Sequence, residues 1–201
     1  MSTQRVLESE LNRRSVVARI LRDRGEALVI TSLGNPTFDV AAAGDVPQNF
    51  YLWGAMGGAV MVGLGVALAQ PDKRVIVFVG DGEMMMGLGS LATVAVHGAK
   101  NLSIVVIDNE HYAETGMQPA HAGRGVNIDR VAQAVGFSQA CMVREAQQLE
   151  GAIETIHGGE GPVLTVFKVT TEPVPTALPP RDGPYLRSRF REALLGSEAH
   201  R

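Results

Sequence analysis

The stretch "RVIVFVGDGEMMMGLG" (residues 74–89) is apolar as far as Val79, stops at Gly80-Asp81-Gly82, and passes at once into a Met-rich segment. Its apolar run is unbroken rather than alternating, as expected of a parallel strand covered on both faces. "LSIVVIDN" (102–109) repeats the pattern and ends on an acid and an amide, Asp108-Asn109. The residues around 84–97 between them read as helical, so strand, helix and strand form one α/β unit. In such sheets ligands bind beyond the carboxyl ends of the strands. Asp81 and Asn109 both stand there, separated by a helix and a strand.

Working outward, Val6, Leu7, Leu11, Val17, Ile20 and Leu21 recur at helical spacing, which predicts an amphipathic helix over 4–24. "ALVITSLG" (27–34) reads as a short strand closed by a Gly-Asn-Pro turn, with a loop to Asn49. A Gly/Ala-rich helix precedes the central strand, and a Gly/His-rich loop occupies about 110–126. "NIDRVAQAVGF" and "EAQQLEGAIETIH" read as helices, and "PVLTVFKV" (162–169) as the last strand. The tail is Pro-rich ("TEPVPTALPP") and ends in "YLRSRFREALL", a short surface helix. The expected fold is α/β, a parallel sheet flanked by helices on both faces. Its expected division is an N-terminal helix (1–26), a central domain (27–170) and a C-terminal tail (171–201).

With 201 residues, 45% hydrophobic and 19% charged, the chain has room for one sizeable domain. A net charge of −3 gives no electrostatic case for nucleic acid. The single cysteine, Cys141 in "SQACMV", excludes an internal disulfide and reads as a small core residue. "MSTQRVLESELNRR" mixes charge signs without an apolar core, so no signal peptide is read there and a cytoplasmic protein is expected. "LWGAMGGAVMVGLGVALAQ" (52–70) is uncharged and nearly of membrane-spanning length. Its five glycines and mid-chain position favour instead a buried helix that lets another backbone approach closely.

Three readings of the glycines compete. "GLGSLA" (87–92) matches a dinucleotide fingerprint, with Asp108 placed for a ribose hydroxyl, but it begins well after the strand has ended. Alternatively, Gly80 and Gly82 only make a tight turn and Asp81 caps the next helix; this leaves "DNEHYAETGMQ" (108–118) unexplained. The third reading joins both strand ends around a hard cation, Mg2+, which takes few protein oxygens and shares phosphate oxygens with its ligand. Glycines admit phosphates to the backbone, and the N–H groups at Glu83 and Met84 favour negative charge.

At this point "GDGEMMMGLGSLATVAVHGAKNLSIVVIDN" resembles the GDG…N signature of thiamine diphosphate-dependent enzymes. "NFYLWGAMGGAVMVGLGVALAQPDKRVIVFVGDG" and "LGSLATVAVHGAKNLSIVVIDNEHYAETGMQP" are similar to sulfopyruvate decarboxylase β subunits and the matching half of phosphonopyruvate decarboxylases. The likeness runs from about 27 to 170 and implies the diphosphate-binding (PP) module and its fold. It implies Asp81 and Asn109 as side-chain ligands of Mg2+, His111 as a carbonyl ligand, and Gly80, Gly82 and Glu83 as the diphosphate-binding turn. In "WGAMG", Gly54 resembles the residue whose carbonyl accepts from the cofactor's amino group, and Met56 the apolar wedge beneath the bent cofactor. Met84, Met85 and Met86 read as packing residues. Tyr112, Glu114, Thr115 and Gln118 lie on the loop expected to face a 2-oxo acid; Glu114 is a proton-transfer candidate, and Tyr112 also borders the cofactor. His121 and Arg124 are candidates for an anionic substrate group.

The resemblance further implies that an activating glutamate sits on a separate pyrimidine-binding (PYR) module. Nothing before residue 27 resembles that module, so an α subunit is expected to supply it, in a hetero-oligomer that also self-associates. Here "GDGEMMM" and "YAETG" stand where the relatives carry smaller, uncharged residues. The implied activity is therefore 2-oxo acid decarboxylation, with a carboligase, or a cofactor-free interaction subunit of the same fold, left open.

Overall fold

The computed structural model describes residues 11–200, so Val6 and Leu7 lie outside the described residues. The elements are α1 (Arg13–Arg22), β1 (Leu28–Thr31), α2 (Asn35–Ala43), β2 (Asn49–Tyr51), α3 (Ala59–Ala69), β3 (Val75–Gly80), α4 (Asp81–Met86) and α5 (Ser90–His97). They continue as β4 (Leu102–Asp108), β5 (His111–Tyr112), β6 (Gln118–Pro119), α6 (Ile128–Ala134), β7 (Gln139–Val143), α7 (Leu149–Gly158), β8 (Val163–Lys168) and α8 (Gly183–Leu195). Six strands form one parallel sheet in the order β2-β1-β3-β4-β8-β7, and β5 and β6 pair as a small antiparallel ribbon.

The sheet is parallel because every central strand is apolar on both sides, and helices cover both. Val75, Val77, Val79, Ile104 and Val106 pack on one face with α3, α5 and α6. Ile76, Phe78, Val105, Ile107 and Phe167 pack on the other with α1 and α7. β1 is followed by a crossover to β2 on one side, whereas β3 and β4 extend to the other. The strand order therefore reverses between β1 and β3, and a crevice opens at their carboxyl ends.

Several sequence expectations are corrected. Gly34-Asn35-Pro36 does not only turn the chain: it opens α2, with proline in the first turn where its missing N–H costs nothing. The expected loop to Asn49 thus contains a nine-residue helix and runs into the short strand β2. The Gly/Ala-rich helix begins only at Ala59, and it is not buried all round, since Met61 and Leu68 are exposed. The helical stretch after Gly82 starts at Asp81 and is broken between Met86 and Ser90. "SQACMV" forms the edge strand β7, and Cys141 is exposed on it rather than in the core. The terminal helix α8 docks beside β2: Leu186 and Phe190 are buried, and the Phe190 and Phe50 rings lie 5.4 Å apart. Ahead of it the Pro-rich segment is tied down by Arg14 Nη2 to the Pro175 carbonyl (2.7 Å) and Trp53 Nε1 to the Pro180 carbonyl (2.7 Å).

Candidate active site

Beyond the carboxyl ends of β1, β3 and β4 lies a cavity of about 210 Å³. Gly80, Asp81, Gly82 and Glu83 enter it from the β3–α4 junction, and Asn109, His111, Tyr112, Glu114 and Thr115 from the segment after β4. Met56 reaches it from the loop before α3. Pairing of Gly80 with Ile107 sets Asp81 beside Asp108, which carries the chain on to Asn109.

Asp81 is 2% exposed and its Oδ2 has no hydrogen-bond partner. Burial first, and then the charge of Asp108, push its carboxyl up to about 7, against the N–H groups of Gly82 and Asp81 and the more distant Lys168. A buried carboxylate oxygen without a partner carries its full desolvation cost, and such orphans are few in folded proteins. Asn109 Oδ1 accepts from the His111 N–H at 3.1 Å and keeps a second lone pair, while the His111 ring Nδ1 lies 2.8 Å from the Asn109 carbonyl. One carboxylate, one amide oxygen and a main-chain carbonyl constitute the donor chemistry of a hard divalent cation. Among the described residues no cluster of three His, Cys, Asp or Glu side chains is placed to hold a metal, so amide and carbonyl donors must complete any such set.

Behind this group Lys168, buried at the end of β8, holds Asp108 Oδ2 at 2.9 Å and also bonds Glu110. Burial raises the Asp108 carboxyl and Lys168 opposes it. The clamp fixes the residues on both sides of Asn109. A Cβ on Gly82 would lie 2.5 Å from the Tyr112 ring, so this glycine is required by the tyrosine that covers it. The Glu114 side chain crosses to Gly34, its Cγ standing 3.5 Å from where a Cβ would be.

Other expected residues fall differently. Gly54 is not among the lining residues; its carbonyl accepts from the Ser32 hydroxyl at 3.1 Å. Glu83 contributes more than a backbone N–H, for its carboxyl is buried and is pushed up to about 7 by burial, against hydrogen bonds from Ser32, Gly57 and Ala59. None of the three methionines lines the cavity; Met84 is in the core and Met86 is exposed. Gln118 bonds Thr115 outside the cavity, the His121 ring meets the Tyr112 hydroxyl at 3.1 Å, and Arg124 lies in an exposed turn.

The β1–α2 turn escaped the sequence reading, although Leu33, Gly34, Asn35 and Pro36 line the cavity. The signal existed: "TSLGNP" is again a strand ending in small and polar residues. Arg13 also lines the cavity, 6% exposed and paired with Asp39 together with Arg14. No local pattern marks that contact, because its partner lies 26 residues away.

Residues 33–167 match the family model "Thiamine pyrophosphate enzyme, C-terminal TPP binding domain". The sulfopyruvate decarboxylase subunit beta of Methanothermobacter thermautotrophicus is 38% identical over 154 residues, covering 77% of this chain and 80% of that one. Its counterpart from Methanocaldococcus jannaschii is also 38% identical, over 61% of this chain and 65% of its own length. A sulfopyruvate decarboxylase of Methanosarcina acetivorans is 31% identical over 96% of this chain but only 49% of its own length, so the chain spans about half of it. A thiamin diphosphate-dependent enzyme structure from Mycobacterium smegmatis shares the fold, with a TM-score of 0.70 at 20% identity over 86% of this chain and 35% of that one. With its cavity at the β1/β3 reversal and the matched domain spanning most of its length, the chain belongs to the thiamine pyrophosphate enzyme family.

Proposed function

We propose that the chain is the diphosphate-binding subunit of a thiamine diphosphate-dependent 2-oxo acid decarboxylase of the sulfopyruvate/phosphonopyruvate type, a lyase of the cytoplasm. The observation that carries this reading is Asp81: a buried carboxylate with an orphaned oxygen, in one cavity with Asn109 and His111. The residues fit the cofactor and its cation. Asp81, Asn109 and the His111 carbonyl would hold Mg2+; Gly80 and the N–H groups of Gly82 and Glu83 would face the diphosphate. Met56, which lines the cavity, would pack against the cofactor, and the Gly54 carbonyl would accept from its amino group. Bound there, the cofactor supplies an electron sink for a 2-oxo acid carbonyl.

The protein's own part is to position, to exclude water and to manage a proton. Tyr112, Glu114 and Thr115 line the cavity, which supports giving them the substrate wall, with Glu114 as the acid that would transfer a proton there. The activating glutamate is assigned to a partner α subunit with the PYR module. Two observations support a partner: the relatives similar over most of their length are called subunit beta, and a relative named without a subunit is about twice as long as the stretch it shares. The reading is tested by co-expressing the chain with the product of a neighbouring gene encoding a PYR-type module. Carbon dioxide release from sulfopyruvate or phosphonopyruvate is expected from the pair and not from this chain alone. Full activity of this chain alone would contradict the partner assignment.

A further inference from the structure

His121 and Arg124, the expected partners of an anionic substrate group, do not line the cavity. Among the described residues that do, Arg13 is the one lysine or arginine, set against the acids Asp81, Glu83 and Glu114. Arg13 is 6% exposed, so its guanidinium is held there by packing and not by solvent. A cation buried to that degree needs oxyanion partners.

The partner it has is shared. Asp39 on α2 is 0% exposed; its Oδ2 accepts from Arg13 Nη1 and its Oδ1 from Arg14 Nε at 2.6 Å. Two guanidiniums on one carboxylate leave one positive charge over. Arg14 is the more exposed of the two and turns Nη2 outward to the Pro175 carbonyl at 2.7 Å. Arg13 makes its second contact with the Asn35 carbonyl at 3.3 Å, again through Nη1. An arginine fork has five donors, and the hydrogen bonds of Arg13 among the described residues use only those of Nη1. Asn35 follows Gly34, and the Glu114 Cγ stands 3.5 Å from where a Gly34 Cβ would be. Arg13 therefore borders the wall given above to the substrate, whereas the diphosphate is assigned to the β3–α4 turn and its cation.

We propose that Arg13 is a specificity-determining residue: its Nε and Nη2 groups pair with a second acid group of the substrate, a sulfonate, phosphonate or carboxylate, while Asp39 holds the guanidinium in place. The preferred 2-oxo acid is then a dianion and not an apolar one. That substrate assignment rests on the proposed function; the oxyanion site rests on Arg13 alone.

In the complex with the proposed partner, Arg13→Met is expected to lower the ratio of kcat/KM for phosphonopyruvate to that for pyruvate about 10- to 100-fold, the loss typical of a hydrogen bond to a charged group. An equal loss on both substrates would make Arg13 a packing residue and overturn the proposal. An unchanged ratio overturns it too, and weaker calorimetric binding of magnesium–thiamine diphosphate would then give the guanidinium to the diphosphate. Should Arg13→Met not fold, Arg13→Met/Asp39→Asn removes the buried cation together with its counter-charge and takes the same test. Phosphonoacetate, which has two acid groups and no 2-oxo carbon, separates the site from the reaction. Titrated into the full chain, it is expected to bind about 10- to 100-fold more weakly to Arg13→Met than to wild type. A wild-type complex that decarboxylates no 2-oxo acid overturns the functional reading, and phosphonoacetate binding that depends on Arg13 would still uphold the oxyanion site. Equal phosphonoacetate binding by both proteins, or by neither, overturns that site.

Discussion

Two carboxyls two residues apart, Asp81 and Glu83, are both pushed up to about 7 from ordinary values of 3.8 and 4.5, with burial the first cause in each. Between those limits the folded chain keeps protons that the unfolded chain has released, so stability falls as pH rises. In the cation-free protein the contribution of these two carboxyls is therefore expected to be fully present below about pH 4 and to be lost up to about pH 7. Thermal melts in chelator across pH 5 to 8 should show Tm decreasing. Asp81→Asn removes one of the two carboxyls and should flatten the decline and raise Tm at pH 8, while abolishing any dependence of stability on Mg2+. This is the trade between stability and function expected where a site stores an unsatisfied charge. At this scale the meeting of Asp81 and Asn109 in one cavity was legible, because each follows a buried apolar strand whose carboxyl end opens on the same crevice. The burial of the Glu83 side chain and the place of Arg13 were not, since burial is set by the fold around a residue and Arg13 is held by Asp39, 26 residues distant.

At the scale of elements, the break between α4 and α5 has a packing cause. A Cβ on Gly87 would stand 2.2 Å from the Gly57 carbonyl oxygen, and one on Gly57 would stand 2.9 Å from the Gly87 nitrogen. Two backbones touch there, which is the close approach the glycines of 52–70 suggested, but made by the loop ahead of the helix. Gly87→Ala should destabilise the fold by about 1–3 kcal/mol, as overpacking does, and should weaken cofactor binding by displacing Met56. Chemical denaturation measures the first and calorimetry the second. The buried strands were legible because their apolar runs have no alternative use. α2 was hidden by a Gly-Asn-Pro sequence that serves a turn and a helix start equally well. β7 was hidden because an edge strand with exposed Cys141 lacks the unbroken apolar run of its neighbours.

For the whole molecule, α3 and α5 lie side by side on one face of the sheet, and no Asp, Glu, Lys or Arg occurs in 52–71 or 84–99. Met61, Leu68, Met86 and Val96 are exposed there. A helix apolar on every side is ordinarily covered, which fits the partner proposed above. Met61→Asp/Val96→Asp should leave the Tm of the isolated chain nearly unchanged, the usual result at exposed positions, and should prevent assembly with the proposed α subunit, as read by light scattering. The central claim, that Asp81 and Asn109 grip one cation against a diphosphate, is tested most directly by calorimetric titration of thiamine diphosphate into the assembled protein with and without Mg2+. Binding is expected only with the cation and is expected to disappear in Asp81→Ala. Equal affinity without Mg2+, or binding that survives intact in Asp81→Ala, would contradict it.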